Sequence, residues 1–113
     1  MAHDIHAHLN NISVSAQKVR LVVNQVRGME AVAAISMLKF MPNVAARHVN
    51  KVLNSAVANA EENFGVSRDN LYVFRAFADE APTRKWRRFG ARGRFKPILR
   101  RNSHITVILR ERE

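Results

Sequence analysis

The spacing of apolar and polar residues changes several times along this 113-residue chain. Ile5, Ala7 and Leu9 alternate with His6, His8 and Asn10, a period of two that predicts a half-buried strand. The period then lengthens. Val19, Val22, Val23 and Val26 form a helical stripe, and Ser13 or Ser15 is placed to cap that helix by accepting from a first-turn N–H. Arg20, Asn24 and Arg27 recur at i, i+4 and i+7 on another face, and Gly28 can supply the left-handed residue that ends the helix near Arg27. A second short helix is predicted over about 30–41, with Ala31, Ala34, Ile35 and Leu38 in phase. Met29, Met37 and Met41 fall near that phase and read as core filler rather than as an interaction surface.

Pro42 separates this helix from the most regular stretch of the chain. Over 43–63, Ala45, Val49, Val52, Leu53, Ala56, Val57 and Ala60 keep helical phase, giving a helix about 30 Å long. Arg47, Lys51, Asn54, Ser55 and Glu62 occupy its opposite face, Ala56 and Ala60 admit a closely packed backbone, and Gly65 stops it. Leu71, Val73, Arg75 and Phe77 alternate with Tyr72, Phe74 and Ala76. Both sets are largely apolar, which predicts a central strand over 71–79. The β-branched run 105–109 can pair antiparallel with it. About two dozen residues lie between, too many for a structureless loop in a compact domain. A long hairpin accounts for them, with Gly90 and Gly93 at its turn. About eleven residues per arm at ~3.3 Å each would carry its tip roughly 35 Å beyond the body.

Length and composition narrow the function. One domain is expected over 1–113, with one modest core and no second lobe to enclose an active site. The chain has no Cys, which removes disulfide frameworks, Cys-ligated zinc and thiol chemistry. Its apolar runs are short and its first residues lack the charge pattern of a signal peptide, so neither a membrane span nor a leader is predicted. The formal charge is +10, which points to a polyanionic partner.

That charge is unevenly placed. Up to Pro82 there are eight basic and seven acidic residues, a net of +1; after it there are eleven basic and two acidic, a net of +9. Nine of the cations (Arg84, Lys85, Arg87, Arg88, Arg92, Arg94, Lys96, Arg100 and Arg101) lie within 84–101 with no acid among them. Arg outnumbers Lys there by seven to two, and Trp86, Phe89 and Phe95 are interleaved. Guanidinium groups fork onto phosphates and stack on bases, and aromatic rings stack on unpaired bases, a combination that favours RNA. A solvated charge run would intersperse both signs, and this one does not. An extension so basic lacks a core of its own and is expected to gain order against its partner.

Other constellations were weighed against plainer readings. His3, His6 and His8 could share a metal, but outward side chains on a terminal strand explain them without one, and no Cys or well-placed carboxylate beyond Asp4 completes a first shell. Asp79 and Glu80 are adjacent, so in a strand they point to opposite faces and cannot converge on a nuclease metal. There is no glycine-rich phosphate loop or nucleophilic triad, so no enzyme is expected. His104, at the base of the extension, could donate to a phosphate or cap a strand.

Three blocks carry a family resemblance. Ser15-Ala16-Gln17-Lys18-Val19-Arg20-Leu21-Val22 followed by Arg27-Gly28, then Lys51-Val52-Leu53-Asn54-Ser55-Ala56-Val57-Ala58-Asn59-Ala60-Glu61, and finally Ser103-His104-Ile105-Thr106-Val107 match in order and spacing. Together they resemble the bacterial type of large-subunit ribosomal protein L-twenty-two, from about Ala7 to Leu109. The resemblance implies an α+β body, three helices on a three-stranded antiparallel sheet, with a protruding β-hairpin at about 80–103. It also implies a cytoplasmic, ribosomal location and no cofactor. Its implied partners are large-subunit ribosomal RNA, neighbouring large-subunit proteins and the nascent polypeptide, with the hairpin lining the exit tunnel and the protein assisting subunit assembly. Lys18 and Arg20 match body RNA contacts, and Arg27 shares Arg20's helix face. Arg84, Lys85, Arg92, Gly93 and Arg94 match the hairpin's basic and turn positions, and Trp86, Arg87, Arg88, Lys96, Arg100, Arg101 and His104 complete the expected RNA-binding set.

The chain departs from the family pattern where Ala16-Gln17 replaces a common Pro-Arg, where Ala81 replaces a Gly before Pro, and at the tip sequence 89–95. The alternative function is a general basic architectural protein on nucleic acid. A membrane-active segment is disfavoured by Gly90, Gly93 and Pro97, which interrupt any amphipathic helix over 84–101.

Overall fold

The computed structural model describes residues 4–81, 84–89, 95–100 and 102–112, the two strands at 84–89 and 95–100 as backbone. The fold is α+β. Strand β1 (Asp4–Ile12) leads into helices α1 (Ala16–Val26), α2 (Ala31–Phe40) and α3 (Val44–Phe64). A short 3₁₀ turn (Arg68–Asn70) then precedes β2 (Leu71–Glu80), β3 (Arg84–Phe89), β4 (Phe95–Arg100) and β5 (Ser103–Glu111). β1, β5 and β2 make one antiparallel sheet in that order, while β3 and β4 pair antiparallel as a separate two-stranded ribbon.

The strand over 71–79 is therefore at an edge, and the C-terminal strand is the central one. Burial explains the exchange. From Ser103 to Leu109 every residue but His104 is buried, so β5 is apolar towards both faces. β2 instead contains a one-residue bulge, because Val73 pairs with Leu109 and Arg75 with Ile108, leaving Phe74 as the extra residue. A bulge reverses the in-out phase beyond it. Leu71 and Val73 point into the core before it, and Ala76 and Ala78 do so after it, while Arg75 is exposed and Phe77 half-buried. The sequence alternation through Arg75 and Phe77 thus stops marking one face at Phe74.

An edge strand exposes unpaired backbone groups unless something covers them. Here the α1–α2 connection does part of this work: Gly28 N–H donates to Val73 O at 2.9 Å, and Val73 N–H donates to Met29 O at 2.8 Å. Gly28 adopts φ +79°, the left-handed turn that lets the chain leave α1 and run beside β2. On β1, Asn11 has φ +56° within an irregularity between the pairs Leu9–Ile105 and Ile12–Ser103. Asparagine tolerates that conformation better than most residues. Its N–H donates to His104 Nδ1 at 3.1 Å.

The three helices cover one face of the sheet. Val19, Val23 and Val26 of α1, Ala31, Ala34 and Leu38 of α2, and Val49, Leu53 and Val57 of α3 pack with Ile5, Val73, Ile105, Val107 and Leu109 in one core. Met29, Met37 and Met41 are half-buried against it. Alanines at positions 46, 56 and 60 of α3 are fully buried, so the helix approaches its neighbours without a thick side-chain layer. Asn43 caps α3 by accepting from Ala46 N–H at 2.7 Å, and Gly65 ends it at φ +64°. Ser15 stands at the N-cap position of α1, but its hydroxyl makes no capping hydrogen bond. The nearby tie is made by another serine: the buried Ser103 donates from its hydroxyl to Val14 O at 2.7 Å, joining β5 to the segment before α1.

The radius of gyration is 17.2 Å and the extents are 64 × 25 × 19 Å, against about 13 Å expected for the radius of a compact chain of this length. Elongation follows from β3 and β4 continuing the directions of β2 and β5, since Ala81 N–H still donates to Asn102 O between the two pairs of strands. The hairpin expected at about 80–103 is thus present as two ladders. Gly90 and Gly93, assigned to its turn, lie outside the described residues, as do His3 and the tip residues around them.

On the sheet face away from the helices, Arg110 forks onto Asp4, Nε to Oδ1 at 2.7 Å and an Nη to Oδ2 at 3.3 Å, while its guanidinium carbon lies 3.5 Å from the Phe74 ring centre. This ties β1, β5 and β2 together from outside. The hydrogen bond from Arg110 holds the Asp4 carboxyl below its ordinary pKa, and the Arg68 guanidinium does the same for Glu61. A carboxylate whose pKa is depressed by folding stabilises the fold above its unfolded pKa, and that contribution is lost as pH falls through the folded value. Stability of the isolated protein, followed by urea denaturation, is expected to fall as pH drops below about 4. Asp4→Asn should flatten part of that dependence while leaving the slope of the transition with urea unchanged.

Candidate nucleic-acid interface

Helix α1 presents the body's cations. Its apolar stripe faces the core, which leaves Lys18, Arg20 and Arg27 exposed. The two arginines are partly used by the fold. Arg20 Nε donates to Ala78 O at 3.1 Å and Arg27 Nε donates to Ala76 O at 2.8 Å. These carbonyls belong to the edge of β2, so the i, i+7 arginine spacing completes the edge cover that the α1–α2 connection begins. Arg27 also donates from an Nη to Asn24 Oδ1 at 2.6 Å. A guanidinium has five N–H donors. Arg20 therefore keeps donors on both terminal nitrogens that bond nothing among the described residues, whereas Arg27 keeps fewer.

The same bonds orient α1. Contacts pass from Ala78 to Ala76 to Val73 as the helix advances from Arg20 to Arg27 to Gly28. Its N-terminal turn therefore points towards the hairpin root, which brings Lys18 and Arg20 nearest the arms. Lys18 has no hydrogen-bond or ion-pair partner among the described residues. It borders an open groove of about 930 Å³ between α1 and the α2–α3 junction, with Val22, Met41 and Ala45 also lining it and exposed Leu21 and Val44 at its sides. Lys18 is the one charged residue of that lining.

On the hairpin backbone, Arg84 pairs with Arg100, Lys85 with Leu99, Trp86 with Ile98, Arg87 with Pro97 and Arg88 with Lys96. Arg84 and Arg100, then Arg88 and Lys96, are like charges placed directly opposite. Such pairs disfavour an isolated ribbon and give a polyanion something to neutralise. Arg92, Gly93, Arg94 and Arg101 lie outside the described residues.

His104 occupies the junction. Its Nδ1 accepts from Asn11 N–H, so a neutral ring carries its proton on Nε2 and can still donate outwards. Strand tie and phosphate donor, which the sequence leaves as alternatives, are thus compatible in one side chain. Arg47, Lys51 and Arg75 are further exposed cations outside the set expected from the sequence. The first two were visible as the polar face of α3. Arg75 was hidden because the phase reversal at Phe74 cannot be read from the chain.

Cations that serve the fold and cations that do not should separate in the isolated protein. Arg27→Ala is expected to cost about 1 kcal/mol of folding stability through the lost carbonyl hydrogen bond, whereas Lys18→Ala should leave stability unchanged. Equal urea midpoints for the two variants would contradict this division. Among the described residues no helix is long and apolar enough to cross a membrane. A family model described as ribosomal protein L22p/L17e matches residues 7–110.

Proposed function

Because the chain belongs to the ribosomal protein L22p/L17e family and is therefore a structural constituent of the large ribosomal subunit that binds its RNA, we propose a two-part docking mechanism. The preformed body engages RNA through Lys18, Arg20 and the outward groups of Arg27 and His104. The hairpin cations Arg84, Lys85, Arg87, Arg88, Arg92, Arg94, Lys96, Arg100 and Arg101 neutralise phosphates along the arms, with Trp86 stacking and Gly93 turning the chain at the tip. The hairpin lines the polypeptide exit tunnel, where it meets the nascent chain, and contact with several RNA segments assists subunit assembly. The whole chain acts as one RNA-binding domain.

The match over 7–110 carries this reading. The elongated shape and the concentration of net +9 after Pro82 support its second part. Electrostatics alone would also suit a general architectural binder of nucleic acid, and the two differ in what survives loss of the hairpin. Replacing residues 83–101 by a short turn should lower affinity for large-subunit RNA and reduce the steepness of its salt dependence, while the body keeps site-specific binding. Loss of nearly all affinity, with no site preference left, would favour the general binder. In translating ribosomes a photoreactive residue at position 92 is expected to cross-link to the nascent chain. Cross-links to RNA alone would remove the tunnel contact.

A further inference from the structure

The helices cover one face of the sheet and leave the other to its own side chains. Thr106 and Ile108, at the middle of β5, are buried there without joining the helix-side core. What covers them is a layer of planar groups. His6 and His8 come from β1, their rings 6.2 Å apart and 22° from parallel. Tyr72, Phe74 and Phe77 come from β2, with Tyr72 edge-on to Phe74 at 6.4 Å. The bulge at Phe74 matters here, because it places Phe74 and Arg75 on this face in succession, opposite Ile108. Guanidinium groups already rest over these rings: Arg110 at 3.5 Å and Arg75 at 5.2 Å from Phe74, and Arg112 at 4.8 Å from Tyr72.

We propose that this helix-free sheet face is a second RNA surface, on which unpaired bases of large-subunit ribosomal RNA stack against Tyr72 and Phe77 while Arg75 takes an adjoining phosphate. The inference rests on the ribosomal RNA-binding reading and adds a site to it. Charge decides for RNA over a protein partner. Asp4 is neutralised by Arg110, Asp79 lies at the far end opposite His104, and Arg75 is exposed with no ion-pair partner among the described residues. Chemistry points the same way. Tyr72 and Phe77 are half-buried on the sheet, and aromatic rings held in this way, with a guanidinium over Tyr72, suit a platform on which unpaired bases stack. The Arg110–Asp4 fork fixes the guanidinium over Phe74, so the layer is ordered before RNA arrives.

The test uses the full chain and large-subunit ribosomal RNA transcribed in vitro, with affinity measured across a salt series. Tyr72→Leu and Phe77→Leu keep apolar bulk and remove the stacking ring. Each is expected to weaken binding by roughly 5- to 150-fold without changing the salt slope. Arg75→Gln should reduce the magnitude of that slope by about one. Thermal unfolding confirms that each variant is folded, and Lys18→Ala reports on the α1 surface in the same assay. If Lys18→Ala weakens binding while the three folded sheet-face variants bind like wild type, the second surface is overturned and the first stands. Normal RNA affinity in those variants, together with loss of a neighbouring protein from reconstituted subunits, would make this a protein-docking face and would equally overturn the proposal. A wild-type chain that failed to bind the RNA would overturn both readings.

Discussion

β5 has to be satisfied on two edges and two faces at once, and most of the structure is arranged by that requirement. Its edges are taken by β1 and β2. One face is buried under α1 and α3, and the other under the planar side chains of the two flanking strands. Because β2 and β5 approach each other antiparallel, the residues between them must leave the sheet and return. A tight turn would suffice for an antiparallel pair, and the chain instead continues into a second ladder, β3 with β4. Its root is tied to the body through the Ala81–Asn102 hydrogen bond and the buried Ser103.

Arg20 and Arg27 on α1 commit only some of their donors to the fold. Nε, close to the stem, reaches the carbonyls of β2, and of the terminal nitrogens only one on Arg27 bonds within the protein, to Asn24. Lysine, with one ammonium, could not divide its donors in this way with the same planar geometry. Lys18, by contrast, bonds no carbonyl of the sheet, so its ammonium is not committed to the fold. The α1 surface thus contains both cations positioned by folding and one, Lys18, that the fold leaves unanchored.

The helices were legible because their apolar stripes persist over several turns: Val19 to Val26, Ala31 to Leu38 and Ala45 to Ala60 are all buried as their spacing requires. The antiparallel pairing of 71–79 with 105–109 was legible too. What could not be read was the rank of the two strands. A single bulge at Phe74 shifts the apolar phase, and composition alone does not register one extra residue. Nor does a sequence reveal that Ser15 leaves its N-cap bond unmade, or that arginines at i, i+7 bond a strand edge before they bond RNA. Those outcomes depend on the distance between α1 and β2, which tertiary packing sets. At the candidate site, the cationic segment could be located by counting charges, whereas the aromatic face emerges only once three distant strands are side by side.

The pairing of β1 with β5 brings together residues about a hundred positions apart, as in His8–Thr106 and Asp4–Arg110. Loop-closure entropy must be met before such contacts return any stabilisation, which slows folding of topologies rich in them. During synthesis the helices can form early, but the sheet that buries their apolar stripes has no central strand until Ser103–Glu111 has emerged. The last strand made is thus the one that converts an open, apolar intermediate into a closed body. Until then, the valines of α1 and α3 that the sheet will bury stay exposed and leave the nascent protein vulnerable to aggregation.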